Sequence, residues 1–172
     1  MVDTYEIRKA TEQEAPTVIA LLKEVAAWLQ KNDINQWGYL LEGGEDEEIR
    51  QAIKDNATFI AFQDGEILAT FTLYSQQSEW DEHIWGQEEN SEVLYLHRLA
   101  VRPQHMKNRI GKDILSWIDE NVYKTVRLDC VAHNSKLCAY YQENGFSLIG
   151  TTADGHCKFQ KVHGEGIGNY NE

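Results

Sequence analysis

The run VLYLHRLAVRPQHMKNRIG (Val93–Gly111) constrains this chain most, because it reads as strand, polar turn and helix start in immediate succession. Val93–Val101 is a Leu- and Val-rich stretch of the kind that forms a buried strand. Pro103 stops it, and an amphipathic helix is expected from near Arg109, with Ile110, Ile114, Leu115 and Ile118 on one face. A strand feeding a helix through a turn aims free backbone N–H groups and the positive end of the helix dipole at one spot, which suits an anion. Arg98, Arg102, Lys107, Arg109 and Lys112 fall here, and no Asp or Glu interrupts Val93–Lys112. The whole chain carries a formal net charge of -12, so the sign inverts locally and a bound polyanion is the expectation. A solvated basic surface is the plainer alternative.

A length of 172 residues suits one domain with a real core, expected over residues 1–163. With 42% hydrophobic and 26% charged residues the composition is that of a soluble globular protein. No apolar run approaches a membrane span, and MVDTYEIRKA lacks the apolar stretch of a signal peptide. Cys130, Cys138 and Cys157 are odd in number and form no C-x-x-C pair, so neither a disulfide framework nor a metal site is expected. Together these point to a reduced, cytoplasmic protein without a membrane partner. The acidic balance argues against nucleic acid, whose phosphates most of this surface would repel.

Tyr5–Arg8 reads as a first strand, and Thr11 with Glu14 has capping-box spacing. Val18, Leu21, Leu22, Val25, Trp28 and Leu29 recur at helical spacing. A loop over residues 32–44 carries Trp37, Tyr39 and Leu40. Glu45–Glu48 places four acids in the first turn of a second helix, where the dipole favours them, and Ile49, Ala52 and Ile53 form its buried side. Thr58–Phe62 and Glu66–Leu73 are strands around Asp64-Gly65, a dipeptide suited to a type I′ hairpin turn. Gln76–Ser91 reads as a long polar loop holding Trp80 and Trp85, and the stretch from Glu79 to Glu92 carries six acids and no Lys or Arg. Thr125–Ala132 is a further strand, His133-Asn134-Ser135 caps a last helix ending before Gly145, and Phe146–Gly150 with Cys157–Val162 closes the chain as a hairpin. The Gly-rich residues 164–172 are expected to be a flexible tail. The order is a mixed sheet, with an early hairpin and a central strand–helix–strand unit.

RLDCVAHNSKLCAYYQENGF (Arg127–Phe146) resembles the fifth strand and following helix of the GNAT superfamily of acetyl-coenzyme A-dependent N-acetyltransferases, with Asn134, Tyr141 and Gly145-Phe146 at the usual spacing. LHRLAVRP (Leu96–Pro103) resembles its fourth strand and IRKATEQE its first, and the element order matches across nearly the whole chain. The resemblance implies an α/β (α+β) fold: one mixed, mostly antiparallel sheet flanked by helices and splayed between strands 4 and 5. The family's pyrophosphate loop reads Q/R-x-x-G-x-G/A. Here that stretch is Met106-Lys107-Asn108-Arg109-Ile110-Gly111, so Met106 stands for the Gln or Arg and Arg109 for the first Gly. A positive φ at Arg109 would cost roughly 1–2 kcal/mol. Asn108 tolerates that region, and Lys107, Arg109 and Lys112 add cationic contacts.

The resemblance further implies acetyl-coenzyme A as co-substrate and direct transfer of its acetyl group to a primary amine. A backbone N–H near Leu99 or Val101 would polarise the thioester carbonyl, with Leu99, Ala100 and Val101 lining the pantetheine arm. Met106 to Lys112 would hold the diphosphate, with Asn134 completing the cofactor site. Tyr141 matches the family's tyrosine that protonates the departing thiolate. A phenol near pKa 10 is a weak acid, but a thiolate of roughly pKa 8–9 at hydrogen-bond distance still draws on it. A core aromatic beside Tyr140 is the plainer reading. His97 shares strand parity with Tyr95 and Leu99 and is the candidate base, against a satisfied core histidine and against Glu92 and Glu79. Trp37, Tyr39, Trp80 and Trp85, set among carboxylates, would attract a small cationic amine through Coulomb and cation–π attraction worth about 0.5–2 kcal/mol each. Solvated acidic loops are the alternative there. GNAT proteins are often homodimers, though no stretch here argues for that independently. The competing function is a non-catalytic coenzyme A sensor or interaction module with a degenerate diphosphate loop.

Overall fold

A computed structural model describes residues 5–32 and 44–163. The elements are β1 (Glu6–Lys9), a 3-10 turn (Glu12–Glu14), α1 (Ala15–Lys31), α2 (Asp46–Lys54), β2 (Thr58–Gln63), β3 (Glu66–Tyr74) and α3 (Glu79–Trp85). They continue with β4 (Val93–Val101), a second 3-10 turn (Pro103–Asn108), α4 (Ile110–Asn121), β5 (Thr125–Val131), α5 (Ser135–Glu143), β6 (Ser147–Thr151) and β7 (His156–Lys161). The strand order is β1-β2-β3-β4-β5-β7-β6, with β4 and β5 parallel in a mostly antiparallel arrangement. The chain divides into two compact units. One runs to Leu73 and adds His97–Ile114; the other holds Tyr74–Leu96 and everything from Leu115.

In the first unit, β1 pairs β2 from Glu6↔Phe62 to Lys9↔Phe59, and β2 pairs β3 around a bulge at Ala61/Phe62. Asp64 and Gly65 both take positive φ (50° and 81°), as a type I′ turn demands. Thr11 and Glu14 form the expected capping box, which opens the 3-10 turn, and Pro16 sits in the first turn of α1, where no donor is lost. α1 buries Val18, Leu21, Leu22 and Val25 against Ile49 and Ile53 of α2, Ile60, Ile67 and Ala100. Each such side chain contributes about 1.5–3 kcal/mol of burial. Trp28 is only half-buried, so the apolar stripe of α1 weakens at its C-terminal end.

In the second unit, the parallel register joins Val93–Tyr95 to Thr125–Arg127 at the N-terminal ends of β4 and β5. β5 alternates strictly: Val126, Leu128 and Cys130 are buried, Arg127 and Asp129 are not. Its partners on β7 follow suit, with Cys130 opposite Cys157, Leu128 opposite Phe159 and Asp129 opposite Lys158. Gly145 takes φ +93° after α5, so the turn favours glycine there, while the Lys161 Nζ that a Cβ would meet at 2.9 Å is the movable end of a long side chain.

Two readings of the sequence need correction. Gln76–Ser91 is not all loop, since Glu79–Trp85 is helical. Ser78 caps this helix by accepting from the Asp81 N–H (3.2 Å), while the buried Asp81 carboxylate accepts from the Ser78 N–H (3.0 Å) and hydroxyl (3.1 Å). The polar turn after β4 is likewise a 3-10 helix, while α4 starts at Ile110, next to the expected Arg109. Residues 164–172, read as a flexible tail, lie outside the described residues.

Candidate active site

The β4–α4 stretch carries five cations, and the fold sorts them into two groups. Arg98 is committed: its side chain is 8% exposed, and its guanidinium pairs with Glu45 (3.4 Å) and Glu48 (3.3 Å). Burial, then the neighbouring Glu48, pushes the Glu45 carboxyl above its ordinary range, with Arg98 opposing. Arg102 is committed too, donating to the Ile67 carbonyl (2.6 Å) and pairing with Glu24 (2.7 Å). The expectation that both face an anion is therefore replaced by a structural role. Lys107, Arg109 and Lys112 are exposed instead, and none of them enters an ion pair found among the described residues.

The same stretch holds its backbone in an unusual form. Arg109, standing where the resembled motif has glycine, takes φ 64° and ψ 20°, the left-handed region. Asn108, the residue better suited to it, belongs to the preceding 3-10 turn. The Arg109 carbonyl accepts from the Asp113 N–H (3.1 Å), and the Asp113 carboxylate accepts from the Tyr5 hydroxyl. Ile110 is buried and Met106 packs partly against the core, which anchors the turn on both sides. Lys107, Arg109, Gly111 and Lys112 thus surround the N-terminal end of α4, an arrangement able to hold phosphate oxygens.

On β4, Arg98 also takes a left-handed φ of 53°. Such a residue inside a strand acts as a bulge does, breaking the period-2 alternation. Tyr95 and Leu96 are both buried, as is Ala100, whereas His97, Leu99 and Val101 are half-buried. The kink falls between His97 and Leu99, so the parity that groups His97 with Tyr95 does not extend across it to Leu99.

In the second unit, Tyr141 is a buried residue of α5, its ring packed on Tyr140 (5.6 Å), Phe146 (5.8 Å) and Phe159 (6.0 Å). Burial, with Cys130 nearby, pushes its phenol well above the usual tyrosine range. The proton is held firmly, so the donor is always loaded, though weaker as an acid. Asn134 caps α5 by accepting from the Leu137 N–H (3.2 Å).

The other face of this sheet is polar, and α3 contributes to it. Trp85 stacks against the cations of the chain itself, Arg127 at 4.6 Å and Lys158 at 5.3 Å from its ring. Arg127 in turn pairs with Glu88 (3.1 Å), holding that carboxyl below its usual range. Trp80 is 40% exposed and donates from Nε1 to Asp129 (3.0 Å). Its ring lies edge-on to His156 (4.9 Å), and His83 Nε2 meets Asp154 at 2.8 Å. The Thr152 hydroxyl, then His83, keeps Asp154 well below the carboxylate range. Arg127, Asp129, His83 and Asp154 were missed from the sequence. Strand alternation on RLD was signal enough for the first two, whereas the His83–Asp154 contact is long-range. Trp37 and Tyr39 lie outside the described residues. Among the described residues no set of three or more His, Cys, Asp or Glu is arranged to hold a metal, and no helix is long and apolar enough to cross a membrane.

A seven-stranded, mostly antiparallel sheet with one parallel pair, flanked by helices, is the fold of the GNAT-type acyltransferases. The model of the "Acetyltransferase (GNAT) family" matches residues 20–146, and the chain belongs to that family. It is 33% identical over 165 residues to the "Uncharacterized N-acetyltransferase YesJ" of Bacillus subtilis (strain 168), covering 94% of this chain and 92% of that protein. Solved structures share the fold. A GNAT-family acetyltransferase from Listeria monocytogenes superposes with TM-score 0.76 at 23% identity, covering 91% of this chain and 94% of that one. The PaiA N-acetyltransferase of Thermoplasma acidophilum, solved with coenzyme A, gives 0.70 at 20%, covering 93% and 99%. The putative acetyltransferase YncA of Salmonella typhimurium, solved with acetyl-CoA, gives 0.68 at 10%, covering 93% and 94%.

Proposed function

We propose that this protein moves an acetyl group from acetyl-coenzyme A directly to a primary amine, and that the acceptor is a small cation. Family membership supplies the donor. The observation that carries the reading for this chain is the exposed trio Lys107, Arg109 and Lys112 at the start of α4, in a chain of net charge -12. In this reading Met106 to Lys112 cradle the diphosphate through side-chain charge and backbone N–H groups, and Leu99 to Val101 accompany the pantetheine arm. Asn134 contributes from the entrance of α5. Tyr141, at the position of the family's acid, returns a proton to the thiolate, and His97 takes the proton that the ammonium must lose before it attacks. Trp80 beside Asp129 supports a cationic acceptor, since an aromatic face and a carboxylate favour an ammonium. Trp85 fits less well, because Arg127 and Lys158 already use its ring.

The test is thiol release from acetyl-coenzyme A with a panel of polyamines, amino acids and aminoglycosides. Tyr141→Phe is expected to lower turnover by about 10²–10⁴. An unchanged rate removes Tyr141 from the chemistry. Tight coenzyme A binding without turnover on any amine would favour the sensor reading instead.

A further inference from the structure

The chain has three cysteines, and the fold gathers all of them. Cys130 on β5 faces Cys157, its register partner on β7. Cys138 sits in the first turn of α5, where its N–H bonds to the Asn134 carbonyl (3.1 Å). Its Sγ lies 3.5 Å from that of Cys130 and 4.0 Å from the Val131 carbonyl, and burial, then the nearby Cys138, pushes the Cys157 thiol up. We propose that Cys130 and Cys138 form a modification site, a dithiol that a peroxide oxidises to an intrachain disulfide bridging the end of β5 to the first turn of α5.

The geometry sits near the product. A disulfide needs an S–S distance of about 2.0 Å, so sulfurs now 3.5 Å apart must close by about 1.5 Å. That is the scale of a side-chain rotation, with only a short turn between strand and helix. The two thiols differ in role. Cys130 is 4% exposed, and burial beside Cys138 pushes its thiol far up, so at rest it is protonated and shielded and loses its proton only as it attacks. Cys138 is half-buried and is the sulfur that meets an oxidant in solution. Its thiolate attacks one peroxide oxygen; the O–O bond breaks, an S–O bond forms, and the leaving hydroxide takes up the proton that the thiol gave, as water. The Cys130 sulfur then attacks the Cys138 sulfur. The S–O bond breaks, and the departing hydroxide carries off the Cys130 proton as a second water. Two thiols lose two electrons in all, and one peroxide becomes two waters. The bridge tethers the helix that carries Asn134 and Tyr141.

The experiment treats the folded, full-length protein with hydrogen peroxide, alkylates the remaining thiols and maps tryptic peptides without reduction. Cleavage after Arg127, Lys136 and Lys158 puts Cys130 on one peptide and both Cys138 and Cys157 on the next, so variants must separate the two pairings. The expected result is a linked peptide pair in the native protein and in Cys157→Ser, reversed by dithiothreitol and absent in Cys138→Ser. Cys138 is half-buried, so its replacement keeps the test open even where Cys130→Ser fails to fold. Loss of the link in Cys157→Ser, persistence in Cys138→Ser, oxidation of Cys138 to the sulfinic acid alone, or a link formed only in urea would each overturn the proposal.

Discussion

Asn56, Asp64, Arg98 and Arg109 are the non-glycine residues with positive φ among the described residues. Asn and Asp tolerate that region; an arginine does so at a cost of roughly 1–2 kcal/mol. The two arginines are held there for different reasons, which substitution by glycine separates. At Arg98 glycine relieves the strain but strands Glu45 and Glu48, so Arg98→Gly is expected to lose about 1–3 kcal/mol of stability in urea unfolding. At Arg109 no ion pair is lost. The relief, less the extra chain entropy of glycine, is expected to raise stability by about 0.5–1 kcal/mol. Coenzyme A should nevertheless bind more weakly to Arg109→Gly by calorimetry, because a cation has left the helix entrance. Equal affinity would show that the side chain plays no part in holding phosphate.

Among the elements, α3 and the turn opening α1 carry the clearest expectations. Ser78→Ala removes the cap of α3 and a hydroxyl donor to the buried Asp81, and is expected to cost about 1–2 kcal/mol, read from the urea midpoint. The turn before α1 is pinned by Glu14, which accepts two hydrogen bonds from Arg8 (3.0 and 2.8 Å) and one from the Thr11 N–H (2.9 Å). The Arg8 bonds come first in holding its carboxyl down from the ordinary 4.5 to about 2. With the folded pKa depressed, the unfolded chain takes up the proton first as pH falls. The contribution is therefore complete above pH 4.5 and lost as pH falls to about 2. Glu14→Gln is expected to be less stable than the native chain at neutral pH, with the gap closing across that window in unfolding curves. A constant gap would mean that Glu14 acts through packing rather than charge.

For the molecule as a whole, a net charge of -12 sets a repulsive background for any anionic ligand. At physiological ionic strength charges are screened beyond about 8 Å, so the background fades while contact cations still act. Coenzyme A affinity is therefore expected to fall as salt rises above that level. Replacing Lys107 and Lys112 with alanine should flatten the dependence, as titration calorimetry at several ionic strengths would read. A wild-type affinity that rises with salt would mean that repulsion governs and the local cations do not.

Local rules alone determined much of this protein. The strands, the amphipathic helices, the Asp64-Gly65 turn, the Asn134 cap and the glycine after α5 follow from periodicity, capping and backbone sterics, which act over a few residues. The helix at Glu79–Trp85 was equally local, written in Ser78 and Asp81, but hidden by the surrounding acids. Which cations stay exposed was a different matter. Arg98 and Arg102 look the same in sequence as Lys107 and Arg109, and only packing brings Glu45, Glu48 and Glu24 to the first pair. The left-handed kink at Arg98, the cations on Trp85 and the meeting of three cysteines were likewise decided by tertiary structure. The cations on Trp85 and the pairing of Cys157 with Cys130 join residues far apart in the chain, and no short window of sequence records those.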